Sequence, residues 1–259
     1  MFDRDPDKND RLSQAGPPSG SWSQAGSPAV ALPGAQQVVV AREGYLTMSF
    51  FWMFLALLVS AVTAFLVMGN ARALGFVAQN FFILVIAELA FVFLISLAIN
   101  RLGAIPALGL LFAYAVLNGA TMSLIVLGYL GRGNAGISGV LSAFLGASAI
   151  FGGAALYGVV TKRDLTKLGG ILFMGLLGLI VVSLVNAFLV QSNTMTWLIS
   201  IVGVGIFTAL TAYDVQRINN GSLGWIKTRE AASVVGALAL YLDFVNLFLM
   251  LLRLFNPRD

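Results

Sequence analysis

Beyond about residue 45 the polar positions are sparse, and they divide the chain into seven apolar runs at roughly 49–68, 81–99, 105–130, 136–160, 168–190, 195–216 and 231–253. A helix needs about 20 apolar residues to cross a hydrocarbon core about 30 Å thick, and each run is long enough. None of them alternates apolar with polar residues, so the pattern predicts helices rather than the strands of a barrel. The breaks are short: Gly69 to Arg72, Asn100-Arg101, Gly131 to Asn134, Thr161 to Lys167, Gln191 to Asn193, and a longer stretch from Arg217 to Glu230. Ahead of the first run, Asp3, Asp5, Asp7 and Asp10 alternate with basic residues and lead into a Gly/Ser/Pro/Gln stretch. That stretch has no apolar centre of a signal peptide and too little apolar surface to fold. The expected organisation is a disordered polar tail over 1–45, followed by a seven-helix transmembrane domain over 46–256. The fold class is all-α and polytopic.

Composition narrows the chemistry. Charged residues make up 10% of the chain, against about 25% in soluble domains, and the mean hydropathy is +0.91. There is no cysteine and no histidine. This excludes disulfides, imidazole-held metals and every Ser-His or Cys-His catalytic pair. The segment Gly136-Ile137-Ser138-Gly139 imitates the serine motif of intramembrane proteases, but the chain offers no histidine to act as its base. Neither an enzyme nor a resident cofactor is expected. The net charge of +4 does not indicate nucleic acid, because the basic residues lie at the ends of apolar runs, where they set orientation. With seven spans, the tail and the loops after spans two, four and six hold 11 of the 15 basic residues, which places the N-terminus in the cytoplasm. A re-entrant last segment would raise that count to 13; the length of the run 231–253 favours a full span. Glycines concentrated in runs four and five, among them Gly136, Gly139, Gly146, Gly152, Gly153, Gly169, Gly170, Gly175 and Gly178, read as faces for close helix packing.

Eight of the 11 acidic residues lie outside the runs, leaving Glu88, Asp214 and Asp243 inside them. An ionisable group at the bilayer centre costs about 2.5–3.5 kcal/mol on insertion scales, so retained carboxylates face the bundle or a water-filled path. Depth along the spans allows a Glu88–Arg253 pair near the outer side and an Arg101–Asp214 pair near the cytoplasmic side. Other partners are open: Arg217 stands at i+3 from Asp214, Asn246 stands at i+3 from Asp243, and Glu88 with Arg253 also suits a structural clamp between helices. Without histidine, sensing of near-neutral pH falls to the carboxylates. Ionised, they are also hard oxygen ligands for Ca²⁺, although two or three do not fill its six to eight positions.

Two stretches then carry a resemblance. Thr208-Ala209-Leu210-Thr211-Ala212-Tyr213-Asp214-Val215-Gln216, and Ala239-Leu240-Tyr241-Leu242-Asp243-Phe244-Val245-Asn246-Leu247-Phe248 running on to Leu251-Leu252-Arg253-Leu254-Phe255, closely resemble the signature of the transmembrane Bax inhibitor motif family, in its bacterial branch. The resemblance implies a seven-helix bundle in which six helices surround the last. It implies a hydrogen-bonded, pH-responsive aspartate pair at Asp214 and Asp243, and a calcium leak gated by protonation of that pair. It also implies an arginine latch matching Arg101 and a glutamate–arginine bridge matching Glu88 and Arg253. By this resemblance Asp214 and Asp243 are the gate and the ligands met by calcium, which is cargo rather than cofactor. The place implied is the plasma (inner) membrane, and the partners are the lipid bilayer and calcium ions. The competing expectation is a regulatory protein that restrains another membrane protein, such as a membrane-bound protease. A proton-coupled transporter is a third.

Overall fold

The computed structural model describes residues 33–98, 104–222 and 229–255. Residues 38–259 make one compact unit. The described residues contain no strand; their helices are α1 (Pro33–Met68), α2 (Ala71–Gln79), α3 (Phe81–Ala98), α4 (Ala104–Leu130), α5 (Asn134–Val160), α6 (Gly169–Val185), α7 (Asn193–Asn219) and α8 (Arg229–Phe255). The tail expected over 1–45 falls outside the described residues as far as residue 32; from Pro33 the backbone is already helical. Arg101 also lies outside them.

Six stretches are long and apolar enough to cross a membrane, namely Tyr45–Met68, Ile105–Leu130, Asn134–Val160, Thr166–Val190, Asn193–Asn219 and Glu230–Phe255. The pair α2 and α3, bent by 76° where they meet, makes a seventh when the two are counted as one span. The hydropathy pattern gave no hint of α2, because its residues fall between two apolar runs. Local chemistry makes it: the Asn70 side chain caps its start by accepting from the N–H groups of Arg72 and Ala73. At its end Asn80 stops it by donating its side-chain amide to the Phe76 carbonyl at 2.8 Å. The break between the fifth and sixth spans is built the same way. Gln191 takes a left-handed φ of 51°, and the Ser192 side chain caps α7 at the Met195 N–H.

Burial identifies the centre. In the most apolar stretch of α8, 67% of the residues are buried, and none of the other five unbroken stretches exceeds 44%. The last helix is therefore the one the others enclose. The fifth span, with 6%, lies almost wholly outward. Approach to the centre relies on small residues. On α5 the buried face runs Gly136, Gly139, Ala143, Ala147, Phe151, Ala154, Ala155 and Gly158 at helical spacing, letting neighbouring backbones come close. A Cβ at Gly158 would collide with the Ala212 carbonyl of α7, and one at Gly203 of α7 would sit 2.7 Å from the Met250 sulfur of α8. The expectation for glycines holds only in part. Gly152, Gly153, Gly170 and Gly178 meet open space instead of a neighbour. Phe151 stands edge-on to Phe50 of α1 and Phe244 of α8, tying three helices at one level.

Candidate functional site

The three intramembrane acids end up in two places. Asp243, midway along α8, is 4% exposed, and its Oδ2 is the one buried side-chain polar atom among the described residues with no hydrogen-bond partner. The groups that act on it most strongly come from α7, namely the Asp214 charge and the Thr211 hydroxyl. Asp214 is half-buried, and the positive charge acting on it is Arg217, one turn further along the same helix. Asp214 and Asp243 therefore stand on adjoining helices, α7 and α8, with Asp243 Oδ2 left unpartnered rather than bonded to Asp214. By depth alone, Asp214 looked too close to the cytoplasmic end to meet Asp243. Asp243 lies 14 residues into α8, about 21 Å, whereas Thr211 lies eight residues from the end of α7, about 12 Å. The start of α8 must lie about 9 Å beyond the end of α7 along the bundle, and this stagger closes the gap.

Thr211 is a site residue that sequence reasoning passed over. Its hydroxyl donates to the Phe207 carbonyl at 2.8 Å. A hydroxyl has one proton, so towards Asp243 the Thr211 oxygen offers a lone pair, which a carboxylic acid satisfies and a carboxylate does not. Asn246, considered as a partner for Asp243, instead donates its amide to the Leu242 carbonyl at 2.8 Å. Among the described residues no three acidic side chains gather into a metal-holding group. The pair can contribute two carboxylates to a passing cation, and the rest of a calcium shell would be carbonyl or water oxygen.

Glu88 anchors the second place. Its Oε2 accepts from the Asn118 amide at 3.2 Å and its Oε1 from the Thr121 hydroxyl at 2.5 Å, both on α4. Asn118 in turn accepts, through Oδ1, from the Tyr241 hydroxyl at 2.8 Å, and Tyr241 lies 2.7 Å from the Ser60 hydroxyl of α1. Tyr241 gives its proton to Asn118, while the Ser60 hydroxyl also faces the Ala56 and Ala115 carbonyls at 3.1 and 2.8 Å, so the network joins α1, α8 and α4 to the Glu88 carboxylate on α3. Glu88 therefore sits level with Tyr241, and Arg253 is 12 residues, about 18 Å, further along α8. The depth match expected of Glu88 and Arg253 is corrected accordingly. Glu88 is held by amide and hydroxyl donors at mid-helix, and Arg253, half-buried in the last turn of α8, makes interactions of its own. Asn118, Thr121 and Ser60 carried no sequence signal, and Tyr241 entered only as part of the family-like stretch, because uncharged polar residues scatter through membrane helices and only the fold gathers these four.

The other polar contact of note is at the C-terminal end of α7. Gln216, 5% exposed, accepts from the Leu165 backbone N–H and donates to the Arg163 carbonyl, each at 2.8 Å. Both partners belong to the loop between α5 and α6.

Comparison with known proteins places these residues in a wider context. The family model described as inhibitor of apoptosis-promoting Bax1 matches residues 42–259. The inner membrane protein YbhL of Escherichia coli strain K12 is 38% identical over 238 residues, covering 87% of this chain and 98% of that protein. An uncharacterized protein of Deinococcus radiodurans is 38% identical over 217 residues, with 83% and 91% covered. Another, of Borreliella burgdorferi, is 38% identical over 231 residues, with 86% and 96% covered.

Proposed function

We propose, from the premise that this chain belongs to the Bax inhibitor family of multi-pass membrane proteins, that it is a pH-sensitive calcium leak channel of a bacterial inner membrane, gated by the protonation of Asp214 and Asp243. The observation that carries the reading is the unpartnered, buried Asp243 Oδ2 beside a second carboxylate on the adjoining helix. With a proton on the pair, Asp243 is matched to Thr211 and α8 stays seated against α7. With both carboxylates ionised, the two like charges repel, by about 3 kcal/mol for neighbouring unit charges at an effective dielectric near 20. That is enough to shift a closed-to-open equilibrium about a hundredfold. The separated helices then open a path from the cytoplasmic side, where the two carboxylates meet the calcium ion. The N-terminus lies in the cytoplasm on this reading, as the distribution of basic residues requires. The printed name of the Escherichia coli relative supports the choice of membrane.

The test is calcium flux into dye-loaded liposomes containing the purified protein, followed across a pH range. The wild-type leak should rise as the pH is raised through the titration of the pair. Asp214→Asn and Asp243→Asn carry no titrating group at their positions and should give a low leak that no longer changes with pH. An unaltered pH profile in both variants would overturn the proposal.

A further inference from the structure

The turn of α7 that carries Asp214 is fastened to the loop between α5 and α6, and one side chain makes the polar part of that attachment. Gln216 uses both ends of its amide, Oε1 on the Leu165 N–H and Nε2 on the Arg163 carbonyl. Leu165 is itself buried, packed with Ala154 of α5 and with Ala212 and Tyr213 of α7. The loop keeps its shape by a local contact in which the Asp164 carboxylate accepts from the backbone N–H and the hydroxyl of Thr166. Beneath it, a Cβ at Gly169 would lie 2.7 Å from the Tyr213 hydroxyl, so the start of α6 is pressed against the same turn. The residues flanking Asp214 on both sides thus face this loop or α5 beside it: Ala212, Tyr213, the fully buried Val215 and Gln216. Asp243, by contrast, rides on α8.

We infer that Gln216 is a positioning residue, which locks the α5–α6 loop to the last turns of α7 and so holds Asp214 in place against α8. This rests on the leak reading above, and it adds the loop as the body to which one half of the gate is attached. Parting the two aspartates then means moving α8 against a joined α5–loop–α7 unit. Releasing the amide frees the end of α7 and weakens the closed arrangement.

The absence of native cysteine makes the test direct. A nitroxide at Lys162→Cys, an exposed loop position, reports loop mobility. A pair of labels at Asn220→Cys and Glu230→Cys, exposed at the facing ends of α7 and α8, reports their spacing. Calcium flux is read in phosphatidylethanolamine/phosphatidylglycerol vesicles at one fixed pH. Gln216→Ala should mobilise the loop label, broaden the α7–α8 distance distribution and raise the leak about tenfold, the effect of removing its two hydrogen bonds from the closed state. Gln216→Glu keeps the acceptor for Leu165 and loses the donor to Arg163. It should move all three readouts the same way by less, and it serves if the alanine variant does not fold. A loop that loosens while spacing and leak stay unchanged overturns the inference, because Gln216 would then only hold the loop. A leak that rises with the loop still immobile overturns it too. If wild-type vesicles leak no faster than protein-free ones, the channel reading fails separately. The spacing then decides alone: a broadened distribution upholds the positioning role and an unchanged one removes it.

Discussion

Tyr241 is fully buried and lies two residues before Asp243 on the central helix, and its hydroxyl joins two side chains from different helices. Replacing it with phenylalanine keeps the ring, which stands edge-on to Tyr114 at 5.7 Å, and removes only the oxygen. Asn118 Oδ1 then loses its donor in a place water does not reach. Tyr241→Phe should destabilise the folded protein by about 1–2 kcal/mol, measured by unfolding in detergent, since a stranded buried acceptor costs more than the net value of the bond it made. The same change at an exposed tyrosine such as Tyr157 should have no measurable effect. At this scale the sequence identified the acids well and their partners poorly. A charge in an apolar run stands out by its cost. Thr211, Asn118 and Gln216 cost little wherever they lie, and they acquire a role only from the atoms opposite them.

Whole elements meet through a few small residues, and those contacts are where an added methyl is felt. Gly158 leaves no room for a side chain, because its Cβ position is occupied by the Ala212 carbonyl, with the Val215 side chain 3.1 Å away. A backbone oxygen cannot rotate aside as a side chain can. Gly158→Ala should therefore cost about 1–3 kcal/mol by forcing α5 away from α7. Gly152→Ala, six residues earlier on the same helix and facing open space, should be neutral or slightly stabilising. Thermal unfolding of the two variants side by side checks the contrast. Both glycines belong to one glycine-rich run, and spacing alone did not separate the contact from the open face. The run of small residues predicted close packing correctly, but which glycine meets a backbone depends on the rotation of the helix about its axis. The α2 segment teaches the same lesson from the other direction. It is a nine-residue helix fixed by two asparagines at its ends, too short and too mixed in polarity to register as an apolar run.

For the molecule as a whole, orientation follows from where the basic residues lie, and it is open to measurement. Single cysteines at Lys167, between α5 and α6, and at Arg72, in the first turn of α2, are both exposed and lie on segments that the positive-inside rule assigns to opposite sides. In intact cells, a membrane-impermeant maleimide should label Arg72→Cys and leave Lys167→Cys unlabelled until the membrane is opened. The reverse pattern would invert the topology and with it the side of the membrane on which Asp214 lies.

The sequence by itself determined the class, the helices and their number, counting α2 with α3, and the short set of carboxylates worth following. Each of these rests on a local quantity: twenty apolar residues in a row, or one charge whose insertion is costly. The pairing of Asp214 with Asp243 was implied by resemblance and looked strained on depth alone. Only the tertiary structure supplied the axial stagger that brings Asp243 level with Thr211. It also decided that Glu88 is satisfied by α4 and that Gln216 grips a distant loop. Such outcomes depend on how far one helix slides and turns against the next. That offset is set by side-chain packing across the whole bundle, and no local stretch of sequence encodes it.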